Sequence, residues 1–249
     1  MPGQGAARFA SYDAYVQAEW QLFAANSERA ASAREAVSGM PIQRVLDVGC
    51  GAGQELRPFL HGASVLGVGI DRSPEVGVAG RRLFREHQPR SRVAFVRAAA
   101  EDLPLATSSV DVIVCRLVLP YTDNARALAE LARVLRPGGA LLLKFQHARF
   151  YFRELATGLT RRQFKSVVHA CRVLVAGAIY HLTGAQPRRR ISGESFQTLW
   201  LLRRELARNG LEIQRILPDS RPATPTLLIG RVGTNPSATA RLEPVADHR

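Results

Sequence analysis

Lysine is nearly missing from this 249-residue chain: Lys144 and Lys165 are the only two, which leaves arginine for the other 32 of its 34 basic residues. With alanine abundant, that skew reflects a GC-rich coding bias more than selection for a polyanion. Cysteine is scarce as well. Cys50, Cys115 and Cys171 form an odd, widely spaced set. That excludes a disulfide framework and a cysteine-based metal site, and suits a reducing compartment. No uninterrupted apolar run approaches the ~20 residues of a membrane-crossing helix. The N-terminus opens on Pro, Gly and Gln, with no basic stretch feeding an apolar one as a secretory leader requires. These absences make a soluble, cytoplasmic protein the expectation. At 46% hydrophobic residues, the chain has enough apolar material for one large core.

The formal charge of +13 is unevenly spread. Residues 146–190 carry nine basic side chains against Glu154 alone, whereas residues 41–145 carry fourteen against ten acidic. The excess belongs to one segment, which disfavours a nucleic-acid partner reached through the whole surface.

Five short runs rich in Val, Ile and Leu read as strands covered on both faces: Arg44–Val48, Val65–Ile70, Val93–Arg97, Val110–Cys115 and Ala140–Phe145. Helical segments are expected between them, near Gln54–His61, Pro74–His87 (capped by Ser73) and Asn124–Leu135, the last stopped by Pro137-Gly138-Gly139. Alternation of this kind builds a parallel sheet layered with helices. After Phe145 the rhythm is interrupted by a basic excursion holding a helix from Gln163 to Leu182. It resumes with a helix capped by Ser192 and ending at Gly210, then strands Leu211–Leu217 and Thr226–Val232, joined through Pro218 to Pro225 as an antiparallel pair. An amphipathic helix is expected over Ser11–Val37, and the tail from Gly233 reads as disordered.

The chemistry-bearing feature follows the first strand: Asp47-Val48-Gly49-Cys50-Gly51-Ala52-Gly53. Glycines allow positive φ and a close approach of backbone to ligand, at the sheet edge where α/β crevices bind ligands. A dinucleotide turn needs Gly-x-Gly-x-x-Gly, but here Gln54 stands at the third glycine position, which argues against a nicotinamide cofactor. The next strand ends in Asp71 followed by Arg72, and a carboxylate there can accept hydrogen bonds from two ribose hydroxyls. Two further segments follow in order, Ala98-Ala99-Ala100-Glu101-Asp102-Leu103-Pro104 and Leu131 to Gly139.

Together these four elements resemble the class I S-adenosylmethionine-dependent methyltransferases, in particular the branch acting on small molecules, over roughly Val45–Phe145. The resemblance implies an α/β fold: a doubly wound, mostly parallel seven-stranded sheet, with an α-helical insertion after the fifth strand. It implies S-adenosylmethionine as cofactor and transfer of a methyl group to a small molecule. By position it assigns Asp47, Gly49, Cys50, Gly51 and Gly53 to the methionine part, Asp71 with Arg72 to the ribose, Ala100, Glu101 and Asp102 to the adenine, and Cys115 and Arg116 to the strand end facing the methyl group. This chain departs from the family in having Ala99 where an acid usually holds the adenine amino group, and Arg116 where small or polar residues are common.

On this reading residues 1–40 are an N-terminal helical cover, 41–145 the cofactor-binding core, 146–190 a basic helical insertion that serves as a substrate lid, 191–232 the return to the core and 233–249 a disordered tail. Tyr12 or Tyr15 is expected near the methionine carboxylate. The basic insertion with Arg116 suits an anionic or lipid-like acceptor, or peripheral contact with a membrane; an oligomer contact or a solvated basic face accounts for it equally well. His147, Tyr121, His169 and His181 are candidate bases, and none is assigned. Two alternatives stand: an RNA methyltransferase, opposed by Cys115-Arg116-Leu117-Val118 where amino-methylating enzymes carry Asn- or Asp-Pro-Pro-aromatic, and a non-catalytic scaffold of the same fold.

Overall fold

The computed structural model describes residues 11–60, 64–187, 191–217 and 224–233. Seven strands form one sheet: β1 (Arg44–Val48), β2 (Leu66–Asp71), β3 (Arg92–Arg97), β4 (Val110–Arg116), β5 (Leu135–Lys144), β6 (Leu211–Leu217) and β7 (Thr226–Arg231). Their order is β3-β2-β1-β4-β5-β7-β6, parallel except for β7, which runs antiparallel to both neighbours. The doubly wound, mostly parallel seven-stranded sheet expected from the sequence is the observed one. The chain winds outward from β1 to β3 and then returns to β4, so the order reverses between β1 and β4. A crevice opens there beyond the strand C-termini.

The central strands are apolar because both faces are covered. Leu46, Ile113 and Leu141 point to the side of α4 (Asn124–Val134) and α7 (Leu199–Arg208). Val45, Val112 and Leu142 point to the side of α1 (Tyr12–Ala25), α2 (Ser27–Ala36) and α3 (Val78–His87). At the opposite edge from the crevice, buried Asp111 accepts the backbone N–H groups of Gln43 (2.5 Å) and Arg44 (2.8 Å) and pairs with Arg136 (2.6 Å). It clamps the start of β1 to β4 and β5.

Several boundaries differ from the sequence reading. The N-terminal helix is two, broken at Asn26, whose side chain caps the second by accepting the Arg29 N–H at 3.0 Å. The segment after the glycine turn is a 3₁₀ turn, Gln54–Leu56, rather than a helix to His61; Pro58 forbids a continuous ladder, and His61 lies outside the described residues. Helix α3 starts at Val78, not Pro74, because the Ser73 hydroxyl closes a turn by accepting the Glu75 N–H (3.1 Å) and Gly77 adopts φ +75°. Pro137-Gly138-Gly139 does not stop α4, which ends at Val134. It lies inside β5, where the register slips between Val110 and Val112 and the extra residues are absorbed. Thr198, not Ser192, caps α7. The helical insertion after β5 is a hairpin, α5 (Ala148–Thr160) and α6 (Phe164–Thr183), of which α5 was not foreseen. The Pro218–Pro225 link and the tail beyond Gly233 fall largely outside the described residues.

Candidate active site

The glycine turn closes directly on β2: the Gly49 and Cys50 N–H groups donate to the Ile70 carbonyl at 2.8 and 3.0 Å. Gly49, Gly51 and Gly53 all have positive φ, at +68°, +52° and +78°. Their surroundings separate their roles. A Cβ on Gly49 would collide with Val118, and one on Gly53 would sit 2.9 Å from the Phe95 ring. At Gly51 the nearest atom to such a Cβ is Val16 Cγ1 at 3.7 Å, so this glycine faces the crevice. Its N–H donates to Asp71 Oδ2 (3.1 Å), and Asp71 Oδ1 accepts the Ser73 N–H (2.9 Å). The carboxylate of Asp71 is thereby aimed from the end of β2 across the turn, with lone pairs left for a ligand.

Under the turn lies Asp47, 1% exposed, with Oδ2 lacking any hydrogen-bond partner. Burial pushes its carboxyl up to about 8; Arg29 and Arg116 pull it down and Asp71 adds to the rise. Leaving a buried carboxyl oxygen unpaired costs about 1–3 kcal/mol, a cost that a cation in the crevice would relieve.

The crevice is a cleft of about 1960 Å³ running from Asp71 past the turn to Tyr151. Asp47, Gly49, Cys50, Gly51, Asp71, Arg72, Ala100 and Arg116 line it. Gly53, Glu101, Asp102 and Cys115 are not among its lining residues. Gly53 packs on Phe95. Glu101 accepts the Asp123 N–H at 2.9 Å and holds the loop before α4, while Asp102 is exposed and bonded back to Ala99. Cys115 is fully enclosed, and burial drives its thiol well above the ordinary range.

Glu55 was not singled out from the sequence, yet it organises the cleft beside the glycine turn. Only 6% exposed, it holds Arg116 at 3.0 Å and pairs with Arg29 of α2. Arg57 stacks over Trp20 at 4.5 Å, so α1 and α2 are pinned across the cleft. Tyr15 lines the cleft; burial, with Glu19 and Asp71 nearby, raises its phenol. The Asp71 influence places Tyr15 toward the end of β2. The side chain of Tyr12 lies outside the described residues.

A second cluster faces the turn from the other end. The Ser195 N–H donates to Pro120 O (3.0 Å) and the Gln197 N–H to Gln146 O (3.1 Å), holding Glu194 over the ends of β4 and β5. The Tyr151 hydroxyl lies 2.9 Å from Gln146 Oε1 and 3.2 Å from Glu194 Oε2. Tyr121 bonds the same carboxylate, and His169 Nε2 is 3.5 Å from Glu194 Oε2. Burial and Glu194 raise both phenols, and the hydrogen bond to Glu194 raises His169. Between the two ends sits Leu117 at φ +57°, its N–H donating to Lys144 O at 2.8 Å. Left-handed backbone at a non-glycine residue costs about 1–2 kcal/mol and is a mark of functional sites. Of the other candidate bases, His147 caps α5 by accepting the Arg149 N–H, and His181 bridges Gly177 O and Thr198 Oγ1; neither lines the cleft.

Residues 46–143 match the family described as Methyltransferase domain. Over that stretch the chain is similar to methyltransferase domains. Over 104 residues it is 39% identical to a phthiotriol/phenolphthiotriol dimycocerosates methyltransferase of Mycobacterium ulcerans, a stretch covering 40% of this chain and 36% of that protein. Over 112 residues it is 38% identical to human thiol S-methyltransferase TMT1A, covering 44% and 41% respectively. The chain thus matches less than half the length of these relatives. Its fold is that of magnesium protoporphyrin IX methyltransferase from Synechocystis, solved with bound SAH, at a TM-score of 0.56 and 19% identity over 88% of this chain and 85% of that one. The family match covers the glycine-turn end of the cleft and ends at residue 143, and α5, α6 and Glu194 lie beyond it.

Proposed function

We propose that this chain uses S-adenosylmethionine to methylate a small-molecule acceptor entering beside α5. The observation that carries this reading is the unpartnered, buried Asp47 Oδ2 under a glycine turn that opens on Asp71. The donor set fits the cofactor: Asp47 would meet its ammonium, the Gly51 backbone would leave room for its chain, and Asp71 would accept its ribose hydroxyls. Bound there, the cofactor supplies an electrophilic methyl group on a sulfonium. The chain's own residues then have three tasks. Helices α1 and α2 cover the cleft and exclude water. Tyr121 and Tyr151 orient the acceptor. Glu194 receives the proton that a hydroxyl, thiol or amine acceptor sheds as its new bond to carbon forms.

Calorimetry with S-adenosylhomocysteine tests the cofactor half: micromolar binding is expected, weakened about 10–100-fold in Asp71→Ala, and no binding by the wild type would overturn it. Glu194→Gln tests the acceptor half once an acceptor is found: kcat falls about 10²–10⁴-fold with cofactor affinity unchanged. The cytoplasmic assignment is proposed on the three cysteines, all free thiols.

A further inference from the structure

Helix α6 has two apolar faces, and only one of them has a partner. Ala170, Val173, Ala176, Gly177 and Tyr180 are buried, with Gly177 so close to the Phe196 ring that no Cβ fits. The opposite face carries Phe164, Val168, Cys171, Val175 and Leu182 at spacings of four, three, four and seven, all exposed. At 100° per residue these five fall within an arc of about 60°. Phe164 is 77% exposed and Leu182 86%. Along 20 residues the stripe runs for ~30 Å. By length and composition α6 is the one helix among the described residues apolar enough to cross a membrane. Its packed second face and its Lys165 and Arg172 keep it lying on the protein instead.

The neighbouring helix extends the patch. Phe152 and Leu159 of α5 are 58% and 61% exposed, and Leu159 and Phe164 line one shallow hollow with Arg162 at the hairpin tip. Exposed Arg149, Arg153, Arg161, Arg162, Lys165 and Arg172 accompany these residues; Arg172 also donates to Ile191 O (2.6 Å). Glu154, the only acid on the hairpin, lines the cleft.

We propose that the α5–α6 hairpin is a docking face for an anionic lipid bilayer, with the α6 stripe seated at the acyl boundary and the arginines among the headgroups. A long apolar stripe on a hairpin whose exposed charges are cationic has the composition of an interfacial helix. A two-fold pairing with a second copy would set this cationic face against itself. The other face of α5 supplies Phe150, Tyr151 and Glu154 to the cleft, so docking brings the acceptor end of the cleft beside the lipid. The proposal does not depend on methyl transfer.

The test is co-sedimentation of the full chain with sucrose-loaded vesicles, of phosphatidylcholine alone or with 30% phosphatidylglycerol. Binding to the anionic vesicles is expected to exceed that to neutral ones by about tenfold or more and to fall as salt rises. Phe164→Ser with Leu182→Ser, both at exposed positions, should reduce it about tenfold, and Arg161→Glu with Arg162→Glu at least as much; both pairs should keep the wild-type melting temperature. Equal binding to the two vesicle types, or none, would overturn the proposal. So would a dimer in sedimentation velocity that the Phe164→Ser, Leu182→Ser pair dissolves while vesicles fail to bind, which would make the stripe a copy interface.

Discussion

Asp47 concentrates the physical tension of the site in one side chain. Burial lifts its carboxyl from 3.8 to about 8, so the unfolded chain ionises it first. Its contribution to stability is full below pH ~4 and is lost as pH rises toward 8. Asp47→Asn removes that slope: urea melts of the ligand-free protein should show the variant gaining on the wild type between pH 5 and pH 8. The same substitution should weaken S-adenosylhomocysteine binding by about 10–100-fold. An ammonium beside Asp47 restores its charge, so wild-type binding near pH 7 should release a proton, read by calorimetry in buffers of different ionisation enthalpy, and the variant should release none. Gly49 carries a different constraint. Its φ of +68° and the Val118 side chain against it lead to an expected loss of about 2–5 kcal/mol for Gly49→Ala, measurable by thermal melts. The sequence assigned Gly49, Gly51 and Gly53 a common role; only the neighbours of each Cβ position separate them, with Gly53 packed on Phe95 and Gly51 facing the cleft.

Among the elements, strands were readable and helix ends were not. A buried strand announces itself by a run of Val, Ile and Leu, and β1, β4 and β6 fall within a residue of their expected limits. Helix limits depend on which side chain closes the first turn, and that is a three-dimensional competition. Ser73 lost it because Asp71, turned toward Gly51, already holds the Ser73 N–H. Helix α5 escaped notice because Phe150, Tyr151 and Phe152 are consecutive and show no helical period; its faces divide only once Tyr151 is buried and Phe152 exposed. The break at Asn26 matters for function, since it lets α2 bring Arg29 to Glu55. Asn26→Ala should cost about 1 kcal/mol of stability, read as a lower melting temperature, and accelerate limited proteolysis before residue 40.

For the molecule as a whole, the sheet is tied at the edge away from the chemistry. Asp111, buried, satisfies two backbone N–H groups and Arg136. Asp111→Ala leaves both backbone N–H groups unpaired and Arg136 with only the Pro41 carbonyl, and a loss of about 3–5 kcal/mol, on the order of 10 °C in Tm, is expected by calorimetry with no direct change at the cleft. The glycine-turn end of that cleft was already determined by the sequence, because its parts are local: a strand, a turn that only glycine can make, and an acid at the end of the next strand. The acceptor end was decided by the tertiary structure. Glu194, Tyr151 and Tyr121 come from separate segments, and they meet only because Ser195 and Gln197 tie their loop to Pro120 and Gln146. No periodicity or spacing encodes a meeting of that kind. It follows from how the chain packs after the insertion has folded.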